Sequence, residues 1–281
     1  MFKKDRKRRI IYNDDSDQQF VRLNRPPYKL IDEQSYIDAR TTPTFDTQVD
    51  TYVWNVGNGA TPPWGPWAKL NNYIVHPFLG THQYATDVII RECHSKNMEI
   101  WGSLRINDSH DASVKKLEHT NDSFKSQYPE YLLGGIDDGD LDKEHIERYQ
   151  WAALNFEHAE VRNHRLSYIK DNAAAHDFDG YELDFTRFIW NFPQGREIEL
   201  APLMTDFINQ VRNTLNSIGK DRGRDYTLIV HVPDSIQTSL MLGLDVEKWM
   251  SNRLVDIVVA GMGFNPYNMP IQNWKEIGSR Y

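Results

Sequence analysis

The stretch DGYELDFTRF, residues 179–188, sets Glu182, Asp184 and Arg187 into an otherwise apolar, strand-like run. Side chains alternate along a strand, so Glu182, Asp184 and Thr186 share one face while Tyr181, Leu183 and Phe185 share the other. Carboxylates on a covered strand face are costly unless paired or used. Two readings follow: an acid–base site, or an internal ion-pair network with Arg105 or Arg187. A second polar group lies in SLRIND, where Ser103, Arg105 and Asn107 share a face and Asp108, His110 and Asp111 follow. Asp14 and Asp15 close RRIIYNDD (8–15), and His231 and Asp234 close YTLIVHVPD (226–234). Two carboxyls flanking one bond are what glycosidic cleavage needs, ~5 Å apart for retention and ~6.5–9.5 Å for inversion. The catalytic candidates are Asp184, Glu182 and Asp108. The substrate-binding candidates are Arg187, Arg105, Asn107, His110, Asp14, Asp15, Asn58, Trp64, Trp190, His231 and Asp234.

These residues need strands to carry them. Apolar strand-like runs recur at 8–15, 50–59, 98–108, 179–188, 226–234 and 254–264. Between them lie helical patterns: 84–97 with Val88, Ile89 and Cys93, and 160–176 with Val161, Tyr168 and Ile169. A longer one carries Leu200, Leu203, Phe207, Val211, Leu215 and Ile218, with Gly219 as a C′ stop. Val246 and Trp249 mark a short helix, and IQNWKEIGSRY starts another. Alternation of this kind predicts an α/β fold with a parallel sheet covered by helices. Polar residues collect at the ends of many strands, as expected where every strand end faces a shared barrel mouth. The predicted fold is a (β/α)8 TIM-barrel type with about six βα units, a single domain over 1–281. The count implies that strands seven and eight are missing, unless WAALNF (151–156) is a hidden strand. The 108–160 segment is too long for a plain loop and is expected to be an excursion over the mouth.

Composition narrows the function. A net charge of −8 argues against nucleic acid as the main partner. No apolar run reaches the ~20 residues of a membrane helix. The basic run Lys3–Arg9 reads as a solvated terminus, with no second cluster beside it. No signal peptide follows it, so the expectation is cytoplasmic as written, or secreted or periplasmic if the N-terminus is incomplete. The one cysteine, Cys93, reads as a buried inert thiol. No G-x-G-x-x-G, Walker A, G-x-S-x-G or H-E-x-x-H motif occurs, and no cofactor or metal is expected. Eight tryptophans and fourteen tyrosines suit either a core or a cleft that stacks pyranose rings. In GATPPWGPWAKL (59–70), Trp64 and Trp67 are such platforms or loop packing. The expected partner is a carbohydrate, and Arg105 with Arg187 suggests an anionic one.

EVRNHRLSYIKDNAAAHDFDGYELDFTRF, LRINDSHD, FKSQYPEYLLG and DVEKWMSNRLVDIVVAG together resemble segments of glycoside hydrolase family 10-like proteins. The resemblance runs over nearly the whole chain. It implies a TIM barrel, work on polysaccharide, and an active-site position for Asp184 and Arg187, the L-D-x-x-R residues. A more distant likeness is to the D-G-x-D-x-D-x-E strand of family 18 chitinases. Laid on Asp179-Gly180, it aligns Glu182 and Asp184 with the inner acids but puts Thr186 where the catalytic Glu belongs.

Overall fold

The computed structural model describes residues 6–16, 32–56, 82–109, 112, 123–135, 147–261 and 269–281. Six strands run β1 Ile10–Asp14, β2 Val49–Asn55, β3 Glu99–Arg105, β4 Gly180–Asp184, β5 Thr227–Val232 and β6 Ile257–Ala260. All pairs are parallel, and the strands lie in sequence order. Together they form a curled half-barrel of the α/β class, as the alternation of strand and helix patterns predicts.

Helices cover the convex side: α1 Glu33–Arg40, α2 His82–Ser95, the short α3 Ser123–Gln127 and α4 Glu147–Gln150, α5 Ala159–Ala175, α6 Glu197–Asp221, α7 Ile236–Met241, α8 Val246–Ser251 and α9 Ile271–Gly278. The main core lies between them and the sheet, and it includes Trp54, Leu104, Leu183, Phe207, Val230 and Trp249. Val88, Ile89 and Cys93 of α2 are fully buried there, as their spacing predicts, and burial pushes the Cys93 thiol up.

Two details depart from expectation. WAALNF is not a strand of the sheet; it holds one isolated antiparallel bridge, Leu132 to Leu154. Gly219 does not end α6, which continues to Asp221. A Cβ at Gly219 would stand 2.6 Å from the Arg224 carbonyl oxygen. Glycine is there because the returning chain touches the helix backbone, and the turn itself follows at Gly223, φ +68°.

The concave side has a smaller core of Val53, Trp101 and Ile229. Its floor is an ion pair: the Arg8 guanidinium donates to both Glu99 oxygens at 2.6 Å, and Thr51 Oγ1 donates to Glu99 at 2.8 Å. Arg8 also lies over the Trp101 ring. The basic run is therefore not all solvated, since the Arg8 side chain is only 8% exposed. Above the floor, Gly180 makes room for Trp101: a Cβ there would meet both Trp101 and Ile229 at 2.8 Å.

Candidate active site

Strand pairing sets the site. Parallel register aligns Ser103 with Glu182 and Ile229, and Arg105 with Asp184 and His231. Register partners point to the same face, and this face is the concave one that carries Trp101 and Ile229. The outermost row is thus Arg105, Asp184 and His231, at the C-terminal ends of three adjacent strands, where TIM-barrel sites lie. One row below is Glu182.

Asp184 is held but open, with a side chain 14% exposed. Its Oδ1 accepts from Thr186 N at 2.8 Å and Thr186 Oγ1 at 2.7 Å. The chain turns at that point, so β4 stops at Asp184, and Thr186 and Arg187 lie beyond the strand. His231 Nδ1 stands 3.8 Å from Asp184 Oδ1. Glu182 is 1% exposed and accepts from Ser103 Oγ at 2.7 Å. Burial pushes its carboxyl up to about 7; His231 and Ser103 oppose the shift, and the Asp184 charge adds to it.

The ion-pair alternative is not the arrangement found. Arg105 donates to Asp15 and lies 3.7 Å from Asp108, while among the described residues neither Glu182 nor Asp184 forms an ion pair with an arginine. Arg187 sits over the Phe188 ring, 5.7 Å from its centroid. Asp15 is half exposed and Asp108 buried. The Asp108 carbonyl accepts from Lys125 Nζ at 2.7 Å, which ties α3 to the end of β3.

Other expected residues have different surroundings. Asp14 is turned away from the mouth. Its register partner is Trp54, so it faces the helices, where it takes Arg40 at 2.5 Å, Tyr52 Oη at 2.5 Å and Ser16 N at 2.8 Å. Asn107 is buried, and its amide bonds the backbone of Leu154 and Trp190. Asp234 is half-buried, and its carbonyl accepts from the Trp274 indole at 2.6 Å. Trp190 is half-buried beyond β4. Asn58, Trp64 and His110 lie outside the described residues, as do Trp67 and Asp111.

Sequence reasoning missed Ser103 as the partner of Glu182, although its inward face was readable. It also missed Tyr149 and Phe188, whose rings stand 6.1 Å apart, with Trp190 6.4 Å further along. Nothing in the 108–160 pattern linked Tyr149 to the loop after β4. The described parts of that segment pack through Leu132, Trp151, Leu154 and Phe156 into the helix-side core. Among the described residues no three His, Cys, Asp or Glu side chains gather as metal ligands, and no helix is long and apolar enough to cross a membrane.

No family model matches the chain, and no curated protein matches it in sequence. Solved structures match in fold. A cycloisomaltooligosaccharide glucanotransferase from Paenibacillus sp., complexed with cycloisomaltoheptaose, aligns at TM-score 0.51 and 13% identity over 85% of this chain and 33% of that one. An α-amylase from Anoxybacillus aligns at 0.47 and 15%, over 89% and 51%. An α-galactosidase from Geobacillus stearothermophilus aligns at 0.45 and 11%, over 99% and 42%. The chain spans about a quarter to a half of the length of the solved structures it matches. At 13% identity the likeness to the glucanotransferase shows the fold alone, a partial barrel of the α/β class. The family 10 resemblance gains no support, since no family model matches.

Proposed function

We propose that the chain is a glycoside hydrolase acting on a polysaccharide or oligosaccharide at the mouth of the half-barrel. The observation that carries this reading is the in-register row Arg105, Asp184 and His231 with a protonatable Glu182 beneath it. Asp184 faces the anomeric carbon, as nucleophile or as stabiliser of the developing positive charge. Thr186 fixes its plane by holding one oxygen from two donors. Burial pushes the Glu182 carboxyl up to about 7, so below neutrality it holds its proton and no second full negative charge stands beneath Asp184. Among the described residues, Asp108 and Asp15, both drawn to Arg105, are the further carboxyls beside this row.

Reducing-sugar release from α- and β-linked neutral polysaccharides and sulfated ones tests the reading, with Asp184→Asn in parallel. The expected result is release by the native chain that falls on the order of a thousandfold in the variant. A folded chain that releases nothing overturns it.

A second reading, a carbohydrate-binding protein without turnover, draws on one observation. Thr186 stands where the chitinase-like strand has its acid, and its hydroxyl is spent on Asp184. Sugar binding without release favours that reading.

A further inference from the structure

The half-barrel carries an aromatic cluster that the acid row does not use. Beyond β4 the loop presents Phe188 and Trp190, and Tyr149 of α4 stands against Phe188. All three are half-buried, so each is anchored and still has exposed surface. The cluster begins four residues past Asp184.

What holds it there is Asn107, two residues past Arg105. The Asn107 amide donates to the Leu154 carbonyl at 2.8 Å and to the Trp190 carbonyl at 2.6 Å. Its oxygen accepts from Leu154 N at 2.8 Å. A parallel tie runs from Phe156 N to the Asn191 carbonyl at 2.9 Å. Asn107 is 1% exposed, so it is not itself a ligand contact. One buried amide thus fastens the end of β3, the 147–156 segment and the loop after β4 into one unit. Both amide hydrogens are used, and aspartate could supply neither.

We propose that Trp190, Phe188 and Tyr149 form an aromatic subsite for a pyranose ring, and that Asn107 is the positioning residue that sets it beside the Asp184 row. Flat faces with partial exposure suit the apolar face of a sugar ring, and tryptophan supplies the largest area at little conformational cost. The subsite rests on the carbohydrate reading of the mouth but not on turnover there.

Calorimetric titration of the full chain in the Asp184→Asn background separates the two. Maltohexaose, isomaltohexaose, cellohexaose and a sulfated galactan hexamer are the probes. Binding of one of these is expected to weaken about tenfold in Trp190→Ala. Trp190→Phe keeps a ring and is expected to retain most of the affinity. Asn107→Ala is expected to weaken binding as Trp190→Ala does, with faster amide exchange in residues 188–191. Should Asn107→Ala fail to fold, the Trp190 pair still decides on the subsite. Equal affinity in Trp190→Ala and the parent, or no binding of any probe, overturns the proposal. Binding with this dependence from a native chain that releases no sugar leaves the subsite standing and removes only the hydrolase reading.

Discussion

Glu182 is the side chain whose environment has the clearest consequence. Its carboxyl is pushed up to about 7 from 4.5 by burial. Between those values the folded chain holds a proton that the unfolded chain has released. The stability linked to it is complete below about pH 4.5 and is lost as pH rises through about 7, on the order of 3 kcal/mol. Glu182→Gln removes the titration. Urea unfolding at pH 4.5 and pH 8 should therefore show a smaller loss in the variant than in the native chain, whereas parallel losses would refute the assignment. The inward face of Glu182 and Asp184 was legible because YELDF alternates polar and apolar residues. Asp14 was not, because Ile10, Ile11 and Tyr12 before it are all apolar and give no parity. Only the register against Trp54 turns it outward.

Elements were legible where their apolar spacing was long. Helices α2, α5 and α6 and all six strands stand where the pattern puts them, with ends that differ by a few residues. The end of β4 was overread because the turn there is made by side chains, Thr186 on Asp184. Helix α1 was missed: EQSYIDAR has only Tyr36 and Ile37 as large apolar residues, and its signal is the Asp32–Ser35 capping box. Gly219 was misread as a stop because sequence cannot show which backbone comes back to touch a helix. Gly219→Ala separates the two ideas. Helix propensity alone favours alanine by about 1 kcal/mol. The 2.6 Å approach to the Arg224 carbonyl predicts the opposite sign, a loss of about 1–3 kcal/mol in denaturant unfolding.

For the whole molecule, the half-barrel separates a buried ion-pair floor from the Arg105, Asp184 and His231 row at its mouth. The floor, Arg8 with Glu99 and Thr51, binds the segment before β1 to β2 and β3. Removing one member of a buried pair strands its partner, so Arg8→Ala should cost about 3–5 kcal/mol. Urea unfolding measures that loss, and sugar binding at the opposite end is expected to persist. The barrel class was legible from the strand–helix alternation; the floor was not, because Arg8 and Glu99 are ninety-one residues apart. Every role proposed for Asp184, His231 and Trp190 depends on carbohydrate binding at the mouth. The most direct test is a nuclear magnetic resonance titration of the Asp184→Asn chain, labelled at histidine and tryptophan, with the same hexasaccharides. Shifts in the His231 imidazole and the Trp190 indole, with Trp54 and Trp249 on the helix-facing side unmoved, are the predicted result. Shifts confined to Trp54 and Trp249, or none with any sugar, would contradict it.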